Sequence, residues 1–226
     1  MKGDIAMDGE LKRKVINKQQ GLFTYAISKR TLDIAGSLIG LTILSPVILI
    51  ISLFYFFGEN RGPIFFKQKR IGKNGEAFYI YKFRSMIINA DKKLKSNPLL
   101  YKRYIQNNYK LNQNEDPRIT KFGRFIRKTS LDELPQFYNI LKGEMSLVGP
   151  RPVVREELKE YGDRANKFLS IKPGITGYWQ VSGRSGVNYP ERCGLELYYI
   201  DHASFTLDII ILFRTILKVL KKEGAF

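Results

Sequence analysis

The sequence has little of the chemistry that marks many enzyme and scaffold classes. Its single cysteine, Cys193, excludes a disulfide scaffold and a zinc site built from cysteines, and it fits a reducing compartment. Its single histidine, His202, excludes HExxH-type metal chemistry and a histidine-rich ligand cluster. The chain has neither a Walker A loop nor a GxGxxG fingerprint. Any nucleotide or metal chemistry must therefore rest on other residues.

Acidic residues are also scarce. Among 226 residues, 21 Asp and Glu face 38 Lys and Arg, which gives a net charge of +17. Such a balance attracts polyanions, whether nucleic acid, an anionic membrane face or phosphorylated small molecules. The hydrophobic content of 44% excludes wholesale disorder, and the length fits one domain with at most a small appendage.

Charge is missing altogether from residues 34–57, a run of 24 residues. As a helix this run is ~36 Å long, enough to cross a ~30 Å hydrocarbon core. The alternative, a buried helix of a soluble protein, is disfavoured because uncharged runs of this length are rare there. A secretory signal peptide is disfavoured by the late start and by the absence of a small-residue cleavage site. The sequence predicts a membrane protein.

Ser45 and Pro46 divide this apolar run into two halves. Proline removes a backbone donor and crowds the preceding turn, so a sharp bend is expected there. Basic residues flank both ends of the run, and the positive-inside rule places such residues in the cytoplasm. A re-entrant helix satisfies the rule, but a kinked spanning helix remains open because proline is tolerated in spanning helices.

The rest of the chain predicts a small α+β domain. Asn74-Gly75 between two β-prone runs predicts a hairpin. Residues 87–128 look helical and very basic. Apolar residues from Leu131 to Leu141 recur at helical spacing up to Gly143, and those from Leu207 to Leu220 form one face of an amphipathic helix for the core or the membrane interface.

Two adjacent carboxylates, Asp132 and Glu133, lie in a basic setting. Ser130 and Glu133 have capping-box spacing, which places both acids in the first turn of a helix. Most such pairs only complement the helix dipole. Next to Arg124, Arg127 and Lys128, however, they are also suited to hold Mg²⁺ or to attack phosphorus.

Two further segments offer polar groups for a phosphorylated ligand. Arg151 is bracketed by prolines, which fix the presentation of a guanidinium suited to phosphate. The segment 172–184 combines glycines that permit close backbone approach with Gln180 and Arg184. Taken alone, the first is also explained as a rigid turn with a solvent-exposed arginine, and the second is better explained as a Gly-rich loop over a core Trp.

Together, these residues resemble the bacterial sugar transferases, the monotopic polyprenyl-phosphate phosphoglycosyl transferases, in their minimal form. The resemblance runs from about Ser28 to Gly224 and rests on six motifs in order: KRTLD (29–33), SP (45–46), KFRSM (82–86), SLDELPQ (130–136), VGPRP (148–152) and KPGITG (172–177).

The resemblance implies a fold and a membrane arrangement. The expected fold is α+β and mostly helical, with a small β-hairpin, amphipathic interfacial helices and a re-entrant membrane helix broken at Ser45-Pro46. It implies a polar tail over 1–28, the re-entrant helix over 29–58 and a cytoplasmic transferase domain over 59–226, on the cytoplasmic face of the bacterial inner membrane.

It also implies an activity: transfer of a sugar 1-phosphate from a UDP-sugar to undecaprenyl phosphate, with Mg²⁺ and release of UMP, which starts a glycan that downstream glycosyltransferases extend. Asp132 would be the nucleophile and Glu133 its partner, both near Mg²⁺. Lys82, Arg127, Arg151 and Arg184 match basic positions near the diphosphate and nucleotide, and Gln180 lies in the same segment as Arg184.

Some features depart from the family or leave choices open. Glu196 stands where Asp is expected before Tyr198-Tyr199, and residues 1–33 are too short for the extra helices of long members. The segment 179–184, WQVSGR, is more like members that use a hexose, glucose or galactose. The rival functions are a membrane-anchored basic module that binds RNA or anionic lipid without catalysis, and a processive glycosyltransferase that releases UDP.

Overall fold

The computed structural model describes residues 2–106, 111–112, 115–183 and 187–221, with side chains from residue 19 onward. The helices and strands are α1 Lys2–Leu53, β1 Phe65–Ile71, β2 Ala77–Phe83, α2 Ala90–Lys95, α3 Pro98–Gln106, α4 Lys121–Lys128, α5 Gln136–Lys142, β3 Ser146–Val148, α6 Ala165–Phe168, β4 Gly174–Thr176, α7 Tyr178–Ser182, α8 Glu191–His202 and α9 Phe205–Leu220. The predicted class, α+β and mostly helical, is confirmed.

Helix α1 is continuous through the predicted break. Pro46 lies inside it, and helical backbone extends on both sides from Lys2 to Leu53. The boundary predicted between a tail over 1–28 and a membrane segment over 29–58 falls within this helix. Ser45 and Pro46 therefore do not separate two helices. The prediction that the helix is broken at these residues is wrong.

The reason is a local hydrogen bond. Pro46 has no N–H for the carbonyl of Thr42, four residues earlier, and the Ser45 hydroxyl donates to that carbonyl at 2.8 Å. A serine next to the proline thus supplies the bond that proline removes, as Ser and Thr often do in apolar helices.

Within the described residues, one helical stretch is long and apolar enough to cross a membrane, over Gln19–Phe56. Only 11% of its most apolar window is buried inside the protein, and Ile43 is 69% exposed. A soluble protein would bury this surface. The exposed apolar helix supports membrane association.

The predicted hairpin is confirmed. Strands β1 and β2 pair antiparallel, with Arg70 opposite Phe78 and Phe66 opposite Lys82. The turn between them contains Asn74 and Gly75, both with positive φ, at 58° and 81°. Because directly opposite residues share a face, Arg70, Ile80 and Lys82 project from the same side of the hairpin.

A second, two-stranded parallel sheet joins two of the sequence motifs. Ser146 pairs with Gly174 and Val148 with Thr176. A Cβ at Gly149 would lie 2.5 Å from the Lys172 carbonyl oxygen, and one at Gly177 would lie 2.1 Å from the Gly149 carbonyl oxygen. Only glycine allows the VGPRP and KPGITG segments to approach this closely.

The core lies between the hairpin, α5, the parallel sheet, α8 and α9. Its main cluster is built from side chains of all these elements: Phe78, Ile80, Ile140, Met145, Leu147, Val148, Val181, Tyr199 and Ile211. Smaller clusters lie under Tyr161 and around Tyr55. The predicted amphipathic helix over 207–220 is α9, which buries Ile211 in the core and leaves Phe213 62% exposed.

Three charged residues of α1 attach the helix to this core. Lys29 forms an ion pair with the fully buried Asp208 at 2.7 Å and also donates to the Val148 carbonyl. Arg30 donates to the carbonyls of Ile140 and Leu141 at the end of α5. Asp33 accepts from Ser146 and from the Leu147 N–H. The KRTLD motif thus joins α1 to the rest of the protein.

Candidate active site

A polar cleft lies where the hairpin meets the ends of the parallel sheet. The space within it, part of which is open to solvent, is about 290 Å³. Its walls come from β1, β2, the segments around Glu133 and Arg151, and the chain from Gly174 to α7. The residues that line it are Arg70, Ile80, Lys82, Glu133, Gln136, Arg151, Pro152, Gly174, Ile175 and Gln180. Four of the predicted site residues are among them: Lys82, Glu133, Arg151 and Gln180.

The two carboxylates lie on a single turn of 3-10 helix, Leu131–Glu133. Ser130 has a left-handed backbone, with φ of 58°, instead of the extended conformation of an N-cap, so the predicted capping box is wrong. The one long helix expected over 131–141 is instead this turn followed by α5, which ends at Gly143 as predicted. Both acids do lie in the first turn of a helix, as predicted, but that helix is this short 3-10 turn next to β2.

Lys82 contacts both acids. Its ammonium group lies 2.6 Å from Glu133 Oε1 and 4.0 Å from Asp132 Oδ2. It reaches them from the face of β2 that also carries the buried Ile80. The structure thus brings Lys82 of the KFRSM motif against both acids of the SLDELPQ motif.

Asn139 fixes the distance between these two motifs. Its buried side chain accepts from the Tyr81 N–H and donates to the Tyr79 carbonyl, so it pairs with the β2 backbone like a neighbouring strand. Since Asn139 lies on α5, directly after the carboxylate turn, the pairing holds that turn against Lys82. This role could not be predicted, because one Asn on a helix face gives no signal of a partner sixty positions away in the sequence.

The environment of Asp132 opposes its charge. The residue is buried, with 8% of its surface exposed, and burial raises the pKa of its carboxyl to about 6. The positive charges of Lys82 and Arg127 act in the opposite direction, and the nearby Glu133 adds to the rise. Arg127 is oriented by Ser85, whose hydroxyl accepts from its Nε at 2.7 Å, and burial lowers the pKa of its guanidinium.

Arg151 projects into the cleft from a restrained backbone. Prolines flank it, and its own N–H donates to the buried Glu196 carboxylate. That carboxylate also accepts from the Tyr161 hydroxyl and from the Arg192 guanidinium. Glu196, the residue that departed from the family pattern, therefore holds the loop that presents Arg151.

Of the two predicted residues in the segment 172–184, the structure describes Gln180 but not Arg184. Gln180 lies on α7, a helix where a glycine-rich loop was expected, and its amide nitrogen donates to the Ile175 carbonyl. Its side-chain oxygen is buried without a hydrogen-bond partner. Arg184 lies outside the described residues.

Two polar lining residues, Arg70 and Gln136, were not predicted from the sequence. Arg70 was counted among the basic residues that flank the membrane segment, but the hairpin buries it in the cleft. The signal that could have found it is the hairpin register, because a turn centred on Asn74-Gly75 places Arg70 on the face of Ile80 and Lys82. Gln136 carries no comparable signal.

The donor set fits a magnesium ion only in part. Among the described residues there is no cluster of three or more Asp, Glu, His or Cys side chains able to hold a metal ion. Asp132 and Glu133 supply two carboxylates, which is what proteins use when substrate phosphates and water complete the coordination of Mg²⁺. The residues therefore fit an ion shared with a phosphorylated ligand.

Chemically, the site combines one buried carboxylate of raised pKa with a set of cations around an open cleft. The cations match an anionic ligand, and the carboxylate is able to act on it as a nucleophile or a base.

The chain is similar to a family of known proteins over most of its length. The sequence profile of a family described as "Bacterial sugar transferase" matches residues 24–222. The chain is 47% identical over 201 residues to the undecaprenyl-phosphate galactose phosphotransferase of Salmonella typhimurium, covering 88% of this chain and 41% of that protein. It is 46% identical to the galactosyl transferase CpsE of Streptococcus agalactiae, covering 90% and 44%.

A third relative matches over nearly its full length. The exopolysaccharide production protein ExoY of Sinorhizobium fredii is 43% identical over 204 residues, which are 88% of each chain. The chain spans less than half the length of the first two relatives.

Proposed function

The chain belongs to the bacterial sugar transferase family, and from this membership we propose that it transfers a sugar 1-phosphate from a UDP-sugar to undecaprenyl phosphate and releases UMP. The observation that carries the proposal is Asp132, a buried carboxylate that feels the positive charges of Lys82 and Arg127 and that precedes Glu133 in the lining of a cationic cleft. A module that only binds RNA or anionic lipid has no use for such a group.

The proposed reaction has two steps. In the first, an oxygen of Asp132 attacks the phosphorus that carries the sugar, and the bond from that phosphorus to the bridging oxygen of the diphosphate breaks. UMP leaves with the bonding electron pair, and the sugar phosphate remains on Asp132 as an acyl phosphate. In the second, an oxygen of undecaprenyl phosphate attacks the same phosphorus and the Asp132 carboxylate is released.

The cations have separate tasks in this scheme. Lys82, 2.6 Å from Glu133, screens both acids so that an anion can approach them. Arg151 offers two parallel donors to a phosphate, from a backbone that Glu196 holds. Arg127 stabilises the ionised form of Asp132. Gln180 has a free acceptor for the donor substrate, and Arg184 is assigned to the nucleotide from the family pattern alone.

Asp132 and Glu133 are the residues that would hold Mg²⁺ together with the donor diphosphate. The ion would neutralise phosphate charge that otherwise repels the attacking carboxylate. Glu133 would stay with the ion and the incoming lipid phosphate, while Asp132 makes the covalent bond.

A hexose is the proposed sugar, glucose or galactose. The segment WQVSGR over 179–184 favours it, and two of the relatives carry galactose or galactosyl in their names. The product, a lipid-linked sugar diphosphate, would be the substrate of glycosyltransferases that build an exopolysaccharide, capsule or O-antigen.

We further propose a monotopic arrangement, in which α1 stays helical but bends within the membrane and returns to the face it entered from, with the cleft on the cytoplasmic face of the inner membrane. Three observations support this placement: the exposed apolar surface of α1, the basic residues on both sides of the apolar run 34–57, and the exposed apolar side of α9.

The test is a single turnover without lipid. Purified protein is mixed with UDP-galactose or UDP-glucose and Mg²⁺, and we expect about one UMP per active site, with a matching sugar-phosphate mass on the peptide that contains Asp132. Asp132→Asn should lose both the UMP and the adduct. It should not unfold at a lower temperature than the parent, because burial disfavours the charge that the substitution removes.

Other outcomes identify the rivals. UMP that appears only after lipid is added, with an unchanged protein mass, would show direct transfer and leave Asp132 a metal-binding role. Release of UDP would indicate transfer of the sugar without its phosphate. Steep salt-dependent binding to RNA or anionic vesicles, without turnover of any sugar nucleotide, would support the binding module.

A further inference from the structure

Arg70 is the most buried cation that faces the cleft. It lies on β1, opposite Phe78, on the face of the hairpin that carries Ile80 and Lys82, and 9% of its surface is exposed. A guanidinium in such a position is costly unless anions or hydrogen-bond acceptors satisfy it.

Its present partners satisfy it poorly. One terminal nitrogen donates to Gln68 at 2.8 Å, and the other lies 3.9 Å from Glu157, at the limit of an ion pair. The Nε is buried with no hydrogen-bond partner, and the facing oxygen of Glu157, Oε2, has none either. Two groups of opposite charge thus lie near each other without forming a close pair.

A second guanidinium lines the same cleft. Arg151 repels Arg70, and this repulsion adds to burial in lowering the pKa of Arg70 to about 10. A buried arginine and a half-buried one at the same opening, with an unused Nε donor on Arg70, are complementary to a bidentate or multidentate anion such as a diphosphate.

We propose that Arg70 binds the diphosphate of the sugar nucleotide jointly with Arg151, and that Glu157 is a displaceable counter-ion that holds Arg70 until the donor arrives. This inference rests on the proposed function. It assigns a binding role to a residue outside the carboxylate turn, and it makes Glu157 a competitor of the donor.

The test compares three variants in the steady-state UMP assay. Arg70→Gln should lower kcat/KM for the UDP-sugar about ten-fold or more, the loss expected for a hydrogen-bonded charge contact. Arg70→Lys should restore part of it, because charge returns without the fork. Lys69→Gln is the matched control: it removes one positive charge from the next residue, which is exposed on the opposite face, and should change little.

Two readouts separate binding from structural support. In two-step transfer, kcat/KM for the lipid reports the second step alone, so Arg70→Gln should leave it within about two-fold. Glu157→Gln should raise kcat/KM for the donor a few-fold in the parent and have no effect in Arg70→Gln.

Failure of the proposed function and failure of the proposed role of Arg70 give different results in these assays. If the parent protein releases no UMP, the proposed function fails. If the parent is active and Arg70→Gln keeps a normal kcat/KM for the donor, or lowers both values equally, the role of Arg70 is refuted. An equal effect of Glu157→Gln in both backgrounds would refute its role as counter-ion.

Discussion

Asp132 shows how a single residue is prepared for covalent chemistry at a cost in stability. Burial raises the pKa of its carboxyl to about 6, whereas Lys82 and Arg127 keep the anion accessible near neutral pH. A carboxylate placed only to complement a helix dipole would lie exposed with its pKa lowered. The two cations therefore serve to keep a reactive group ionised in a place that opposes its ionisation.

This setting predicts a pH profile for the first step. Only the carboxylate attacks phosphorus, so the rate of the lipid-free UMP burst should fall as pH is lowered through about 6, toward ten-fold for each further unit. Lys82→Gln removes the largest influence that lowers this pKa, so its midpoint should move upward. Rapid-quench measurement of UMP from pH 5 to 8 gives both midpoints.

Lys128→Gln is the control for that experiment, since Lys128 lies on the neighbouring helix but is exposed. It should keep the midpoint of the parent. A burst rate independent of pH between 5 and 8 would contradict the assignment of Asp132 as the attacking group.

At this scale Asp132, Glu133 and Arg151 could be predicted because each lies in a motif with a chemical reason for its residue type, whereas Lys82 was predicted only from the family resemblance. Arg70 and Asn139 escaped because their roles depend on which face of an element they occupy. In the sequence, Arg70 is one cation among several, and its position in the cleft becomes clear only when β1 is paired with β2. Asn139 is one polar position on an amphipathic helix until its bonds to the β2 backbone are known.

At the scale of elements, the Ser45-Pro46 pair shows where a correct signal led to an incomplete conclusion. The proline does remove a helical hydrogen bond, but the Ser45 hydroxyl replaces it at the Thr42 carbonyl, 2.8 Å away, and the helix continues. Whether a proline ends a helix thus depends also on whether a neighbouring side chain can donate to the carbonyl that loses its partner.

The pair should therefore be coupled in stability. Ser45→Ala leaves the Thr42 carbonyl without a donor in an apolar segment and should cost about 1–3 kcal/mol. Pro46→Ala restores the backbone N–H, so adding Ser45→Ala to it should cost much less. The free energy of unfolding is measured in detergent for the parent, the two single variants and the double variant, which form a double-mutant cycle. An equal cost of Ser45→Ala in both backgrounds would show that the hydroxyl does not replace the bond that Pro46 removes.

The hairpin and α9 were predictable because their signals are local: a turn sequence between β-prone runs, and a periodic apolar face. The carboxylate turn was not. One helix was expected from Ser130 to Leu141, but Ser130 has a left-handed backbone and its side chain makes no capping bond. The regular helix, α5, begins only at Gln136, and the pairing of Asn139 with β2 holds it in place. Tertiary contact decided the local structure there.

At the scale of the whole molecule, the proposed re-entrant arrangement predicts the location of the N-terminal part of α1. In a Cys193→Ser background, Gln20→Cys should be protected from a membrane-impermeant maleimide in intact cells and should react after lysis. Both flanks of the apolar run are basic and belong on the same, cytoplasmic side.

Lys128→Cys, exposed on the folded domain, provides the reference for a cytoplasmic position. Efficient labelling of Gln20→Cys from outside, with Lys128→Cys still protected, would establish a spanning helix. Pro46→Ala in the same assay shows whether proline contributes to the topology.

The attachment of α1 through Lys29, Arg30 and Asp33 has a mechanical consequence. Each of these side chains bonds a different part of the core, namely α9, the end of α5 and β3, so the joint has no single axis about which it can hinge. In the proposed membrane arrangement the apolar part of α1 lies in lipid. Because α1 is fixed to the core at three points, its orientation in the bilayer would set the angle and the height at which the cleft faces the membrane surface.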